Sequence, residues 1–148
     1  MSGKPLPQSF FEKPTLWVAK NLLGKTLVRK YRRKFIRGTI TETEAYCGPR
    51  DLANHASRGK TERTKTMFGP AGHLYIYLIY GMYYCLNIVT EKENYPSAVL
   101  IRSIKAIGVD QKLTNGPGKL CRYLKLGKSF CGEDVTKSKR IWLEDRGI

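Results

Sequence analysis

What most limits this chain is the shortness of the links between its strand candidates. Runs rich in β-branched and aromatic residues read as strands at 25–31, 35–46, 74–80, 82–89 and 98–104, with a last candidate in 137–144. The links are Arg32-Arg33-Lys34, a turn at Gly81, and the polar stretch from Glu91 to Pro96. A parallel crossover takes a dozen residues or more, so these neighbours must pair antiparallel. The expected fold is therefore α/β of the α+β kind. One domain is built on a curved, mostly antiparallel sheet, with short helices at its periphery. One helix is expected within Pro14 to Gly24, where Leu16, Ala19 and Leu23 follow helical steps and Trp17 joins the core. A second, Lys119 to Leu126, follows the turn Asn115-Gly116-Pro117-Gly118 and stops at Gly127.

The segment Arg37 to Pro49 carries unusual chemistry. In an extended strand, residues two apart share a face, so Glu42, Glu44 and Tyr46 point the same way. Two carboxylates and a phenol make a poor core face. The strand either lies at a sheet edge with a solvated charged face, or lines a cleft. Further on, five tyrosines fall within Tyr75 to Tyr84. They fit a two-sided sheet core, or an aromatic pocket and base-stacking surface. Tyr77 and Tyr80 differ in strand parity, so both face one pocket only if the strand bends near Gly81. Arg102 interrupts an apolar strand and requires an acidic or phosphate partner.

Lys and Arg number 27 against 12 Asp and Glu, a formal charge of +15. That excess favours a polyanionic partner. Basic clusters at Arg32 to Lys34, and at Arg58, Lys60, Arg63 and Lys65, are candidate phosphate contacts. A membrane role is disfavoured: the longest apolar run, Leu74 to Leu86, is 13 residues, too short to span a bilayer as a helix. Met1 to Ser9 lacks the apolar stretch of a signal peptide. The four cysteines form no Cys-x-x-Cys pair, and with His55 and His73 they show no zinc-ligand spacing. Neither a metal nor a cofactor is expected. Gly-Pro-Gly before a basic helix could hold a phosphate, but it lacks the P-loop pattern.

Several stretches together resemble the alkyladenine DNA glycosylase family, the mammalian-type 3-methyladenine DNA glycosylases. They are Glu42 to Pro49, Asp51 with Ala53-Asn54-His55, Met67-Phe68, Gly72 to Tyr83 and Cys85-Leu86-Asn87. Val99 to Arg102, Asn115 to Cys121 and Trp142-Leu143-Glu144 continue the match in order. The resemblance implies a monofunctional hydrolase acting in base excision repair. Such enzymes excise alkylated and deaminated purines from double-stranded DNA, without metal or covalent intermediate. It implies Glu44 as the base that activates water, with Arg102 helping to place that water. Tyr46, His55 and Tyr77 would line the pocket of the flipped base. Asn87 would clash with the guanine amino group, and Tyr80 would be the wedge left in the duplex. A monomer working inside the cell, on its DNA, is expected. The chain is shorter than the family between Ile107 and Leu113 and stops at Ile148. The expected unit is thus a glycosylase domain over 1–148, shortened at its C-terminus. The competing reading is a duplex-DNA-binding domain without catalysis.

The chemistry agrees with that resemblance. A glycosidic bond inside the base stack is inaccessible, so the nucleotide must flip into an aromatic pocket while a wedge fills the gap. Bond breaking leaves positive charge on the sugar, which a carboxylate stabilises while taking a proton from water. An alkylated, cationic purine leaves readily. A neutral one such as hypoxanthine needs protonation that no motif here visibly supplies.

Overall fold

The computed structural model describes residues 4–62 and 64–146. Its strands are β1 (Thr26–Tyr31), β2 (Lys34–Cys47), β3 (Leu74–Ile79), β4 (Tyr83–Val89), β5 (Ser97–Lys105) and β6 (Ile141–Glu144). They make one curled sheet in the order β3-β4-β5-β2-β1-β6, and every pairing is antiparallel. The short links explain β1–β2, β3–β4 and β4–β5. The β2–β5 and β1–β6 pairings are long-range and rest on burial instead.

The 37–49 segment is interior to the sheet at its start and a one-sided edge beyond Ile40, which is the first of the two sequence readings for that part. It belongs to β2, whose residues up to Thr39 pair with β1 and whose residues from Thr39 to Cys47 pair with β5, so Glu42, Glu44 and Tyr46 have a strand on one side only among the described residues. Its register with β5 is irregular between Ile40 and Thr43. Only Ile141–Glu144 of the last candidate is strand. The residues before it turn, with Ser138 N–H donating to the Asp134 carbonyl at 2.8 Å.

Helix α1 (Gln8–Phe11) leads into α2 (Thr15–Leu22), and α3 (Pro117–Tyr123) packs on β4 and β5. In α2 the buried face is Thr15, Val18, Ala19 and Leu22. The phase expected from Leu16 and Leu23 is wrong: both are exposed, and Trp17 is 39% exposed rather than core. The helix begins at Thr15, where N–H donates to Glu91 Oε2 at 2.9 Å, and the face it packs on β2 and β5 is the one that carries Thr15. Trp17 instead meets Phe10 edge-on at 5.2 Å. In α3, Leu120 and the following Leu124 are buried, as expected.

The sheet carries two apolar clusters. The larger holds Val18, Leu22, Leu27, Ile40, Ile101, Ile104, Leu120 and Leu143. The smaller is built from Ala56, Met67, Tyr75, Tyr77, Cys85, Val89, Ala98 and Leu100, with Tyr46 at its margin. It borders the candidate site.

Candidate functional site

The register of four strands places the site. Tyr75 on β3 pairs Asn87 on β4, Asn87 pairs Leu100 on β5, and Leu100 pairs Glu44 on β2. One row across the sheet thus carries Tyr75, Asn87 and Glu44. A single strand separates Asn87 from Glu44, about 10 Å of sheet. The next row on the same face carries Tyr46, Ala98 and Val89.

Above these rows lies a cavity lined by Tyr46, Ala53, Asn54, Met67, Tyr75, Tyr77 and Asn87. As it stands it has room for about one water, so a purine enters only if its walls separate. Tyr75 and Tyr77, two apart on β3, are tilted at 35° with ring centroids 5.2 Å apart. Burial raises the Tyr77 phenol well above its ordinary value. Burial, then the Glu44 carboxylate, raises that of Tyr46. Both rings are therefore neutral hydrogen-bond donors near pH 7. Cys85 bonds to Tyr77 and is itself raised, chiefly by burial.

Asn87 is only 2% exposed, and its Nδ2 finds no hydrogen-bond partner among the described residues. An orphaned buried donor costs about 1–3 kcal/mol. By contrast Asn54 is fully engaged. Its Nδ2 donates to the carbonyls of Gly48 and Pro96 at 3.0 and 2.9 Å, and its Oδ1 accepts from Ala56 N–H. This clamps the loop after β2 over the cavity. Gly48 makes that turn possible: it sits at φ +75°, and a Cβ there would lie 2.4 Å from the Tyr95 hydroxyl.

Beside the cavity, Arg102 Nη1 donates to Glu44 Oε2 at 2.8 Å, both side chains being 40% exposed. That bond is the main reason the guanidinium is raised above its usual value. The partner that Arg102 requires is thus Glu44. Glu44 and Arg102 form the rim of the site, not the cavity wall.

Tyr80 stands apart, 87% exposed at the tip of the β3–β4 hairpin. It and Gly81 have φ of 56° and 65°, and Met82 N–H donates to the Ile79 carbonyl at 2.9 Å. Both positive angles mark a tight hairpin turn of the primed kind. A tyrosine in the left-handed region is uncommon and strained. His55 opens a 3-10 turn, His55–Arg58, and its side chain lies outside the described residues, as does that of Arg58 and the whole of Arg63.

The structure therefore brings together Tyr46, Tyr77 and Asn87, with Glu44 and Arg102 alongside, and sets Tyr80 on a projecting hairpin. Sequence reasoning missed Tyr75, Met67 and Asn54 as wall residues. Tyr75 was recoverable, because it shares strand parity with Tyr77. Met67 and Asn54 come from loops, where no period places them. Among the basic groups, Arg32, Arg33, Lys34, Lys60 and Lys65 are exposed. Lys65 already pairs with Glu62 at 3.0 Å. No helix among the described residues is long and apolar enough to cross a membrane.

Known proteins place the chain in a family. A family profile described as methylpurine-DNA glycosylase (MPG) matches residues 9–148. A Methanocella arvoryzae protein named "Putative 3-methyladenine DNA glycosylase" is 46% identical over 153 residues, spanning 95% of this chain and 76% of its own length. Relatives of the same name from Rickettsia rickettsii and Legionella pneumophila are 47% and 51% identical. The first spans 97% of this chain and 76% of its own length, the second 91% and 74%. The chain belongs to the methylpurine-DNA glycosylase family.

Proposed function

We propose that this chain is a 3-methyladenine DNA glycosylase that hydrolyses the N-glycosidic bond of damaged purines flipped out of double-stranded DNA. It acts as a monomer, inside the cell. The observation that carries the reading is the orphaned Asn87 donor at a tyrosine-walled cavity, on the same strand row as Glu44, the carboxylate that Arg102 pairs. A purine entering between Tyr46 and Tyr77 would stack on aromatic faces. Asn87 Nδ2 would donate to an acceptor on the purine edge. The guanine amino group, itself a donor, would be repelled there.

In the reaction the C1′–N bond breaks and its electron pair leaves with the purine. The water oxygen forms the new bond to C1′, and Glu44 takes the water proton. Arg102 occupies Oε2, and Oε1 accepts no other hydrogen bond among the described residues, so it can receive that proton. The carboxylate also offsets the positive charge that develops on the sugar. A cationic 3-methyladenine needs no general acid to depart. Tyr80, at the hairpin tip, fills the gap in the stack, and the His55 segment closes the pocket from the loop side.

The test is single-turnover release of 3-methyladenine or 1,N6-ethenoadenine from a duplex, with binding followed separately. Glu44→Gln is nearly isosteric and can still accept from Arg102. It should retain lesion binding and lose excision by about 10²–10⁴-fold. Glu42→Gln, exposed and in the irregular part of β2, should be nearly silent. Wild-type excision by Glu44→Gln rejects the mechanism. Binding without any excision by the wild type favours the non-catalytic DNA-binding reading.

A further inference from the structure

The other end of the sheet carries a groove of about 570 Å³ that the excision reading leaves unused. Among its lining residues are Lys30 on β1, Phe35 and Arg37 on β2, Lys139, and Trp142 and Glu144 on β6. Leu27, Ile36, Ile141 and Leu143 turn into the main core from these strands. Alternation therefore sends Lys30, Phe35, Arg37 and Trp142 to the opposite face. In sheet order β5 lies between the strands of this groove and the β3–β4 hairpin that carries Tyr80.

Its chemistry is specific. Phe35 is 48% exposed and meets Trp142 edge-to-face at 6.3 Å. The Arg37 guanidinium lies over the Phe35 ring at 4.8 Å, and Lys30 Nζ at 5.9 Å. The one acid, Glu144, is buried and already compensated. It accepts from Trp142 Nε1 at 2.8 Å and pairs with Arg146 at 2.8 Å. Lys30, Arg37 and Lys139 thus leave the groove cationic, and the exposed Arg32, Arg33 and Lys34 turn joins the same two strands. A guanidinium layered on an aromatic ring is a platform on which a base stacks, and the ammonium groups suit phosphate.

We propose that this groove is a second nucleic-acid site that takes a single strand, with a base on the Phe35–Arg37–Trp142 platform and its flanking phosphates on Lys30 and Lys139. A duplex is excluded from the platform because its bases are stacked internally. The inference does not depend on base excision.

The chain has two tryptophans, so Trp17→Phe leaves Trp142 as the sole tryptophan fluorophore. In that background, oligo(dT) of eight nucleotides should quench Trp142 fluorescence, and the same sequence annealed to its complement should quench it much less. Phe35→Ala should weaken oligo(dT) binding by about 5- to 150-fold with the salt slope unchanged. Phe35→Tyr should keep the affinity. Lys30→Ala, at a phosphate contact, should lower the slope of log K against log salt by about 0.7. Equal quenching by polyphosphate or oligoglutamate would show a site that reads charge alone and overturn the proposal. Oligo(dT) binding seen by anisotropy without any Trp142 response would place the strand elsewhere and also overturn it. Loss of this binding leaves the excision assay untouched, and a chain without excision activity still tests the groove.

Discussion

The Asn87 amide separates a residue kept for stability from one kept for recognition. Its Nδ2 is buried and unpartnered, a cost of about 1–3 kcal/mol if nothing in the fold repays it. Leucine has the same branching as asparagine, so Asn87→Leu removes the orphan without changing the side chain's outline. Its extra volume has somewhere to go, because the adjoining cavity has room for about one water. Overpacking elsewhere costs about 1–3 kcal/mol, and here that space should cut it to a fraction. The net expectation is a variant between unchanged and about 2 kcal/mol more stable. For a domain of this size that is up to several degrees in melting temperature. The functional arm uses Asn87→Ala, which opens the space where a guanine amino group would sit. Its preference for hypoxanthine over guanine should fall by at least tenfold in single-turnover excision from otherwise identical duplexes. Thermal melts followed by circular dichroism read the first arm. A loss of more than about 1 kcal/mol in Asn87→Leu would show that the amide is structural. Unchanged preference in Asn87→Ala would remove it from recognition.

Three further perturbations probe other parts of the molecule. Tyr80→Ala at the exposed hairpin tip should melt within about 0.5 kcal/mol of wild type; it should flip a lesion less, as read by a neighbouring 2-aminopurine, and less so on a bulged substrate. A Cβ on Gly118 would lie 2.7 Å from Tyr83 Cδ1, so Gly118→Ala should cost about 1–3 kcal/mol by chemical denaturation, with most of it recovered in the double variant with Tyr83→Ala. The Arg140 hydrogen bond holds the Glu133 carboxyl below its usual value. The stability it contributes is therefore full above the unfolded value, about 4.3, and disappears as pH falls through the folded one. Glu133→Gln should be less stable than wild type at pH 7, and the difference should shrink below about pH 4 in urea titrations.

How much of this was legible depends on the range over which each feature is determined. Hairpins are local, and the short links at Arg32 to Lys34, Gly81 and Glu91 to Pro96 declare them. The Glu44–Arg102 contact spans 58 positions, yet its two ends could be suspected separately, because a charged residue in an apolar strand must be answered. The α2 face was misread because Leu16, Trp17 and Leu23 are the bulkier apolar residues. The buried face is chosen by packing on β2 and β5 and by the Thr15 bond to Glu91, which local sequence does not show. Tyr75 was absorbed into the core because burial and cavity lining are the same property in a closed pocket. Asn54 gave no signal of its own, since its three hydrogen bonds go to backbone that only the folded loop brings near.

The irregularity in β2 explains how Glu42 and Glu44 stay out of the core although they share strand parity with Ile40. Ile40 and Ile104 turn into the main core. Strict alternation from Ile40 would send Glu42 and Glu44 in after it, and from Ile104 it would send Arg102 in. Removing such ions from water costs several kcal/mol each. The register instead slips between Ile40 and Thr43 on β2, opposite the stretch from Ile104 to Ile101 on β5. Beyond the slip, Thr43 bonds the Ala19 carbonyl at 2.9 Å, and Ala45, Val99 and Ile101 face the main core. Even positions face that core before the slip and odd positions after it. Thr41 and Glu42 are both left exposed, and Glu44, Tyr46 and Arg102 swing to the cavity side together. A bulge re-aims side chains while keeping the strand paired. Here it lets one central strand supply core residues at one end and a carboxylate paired with an arginine at the other.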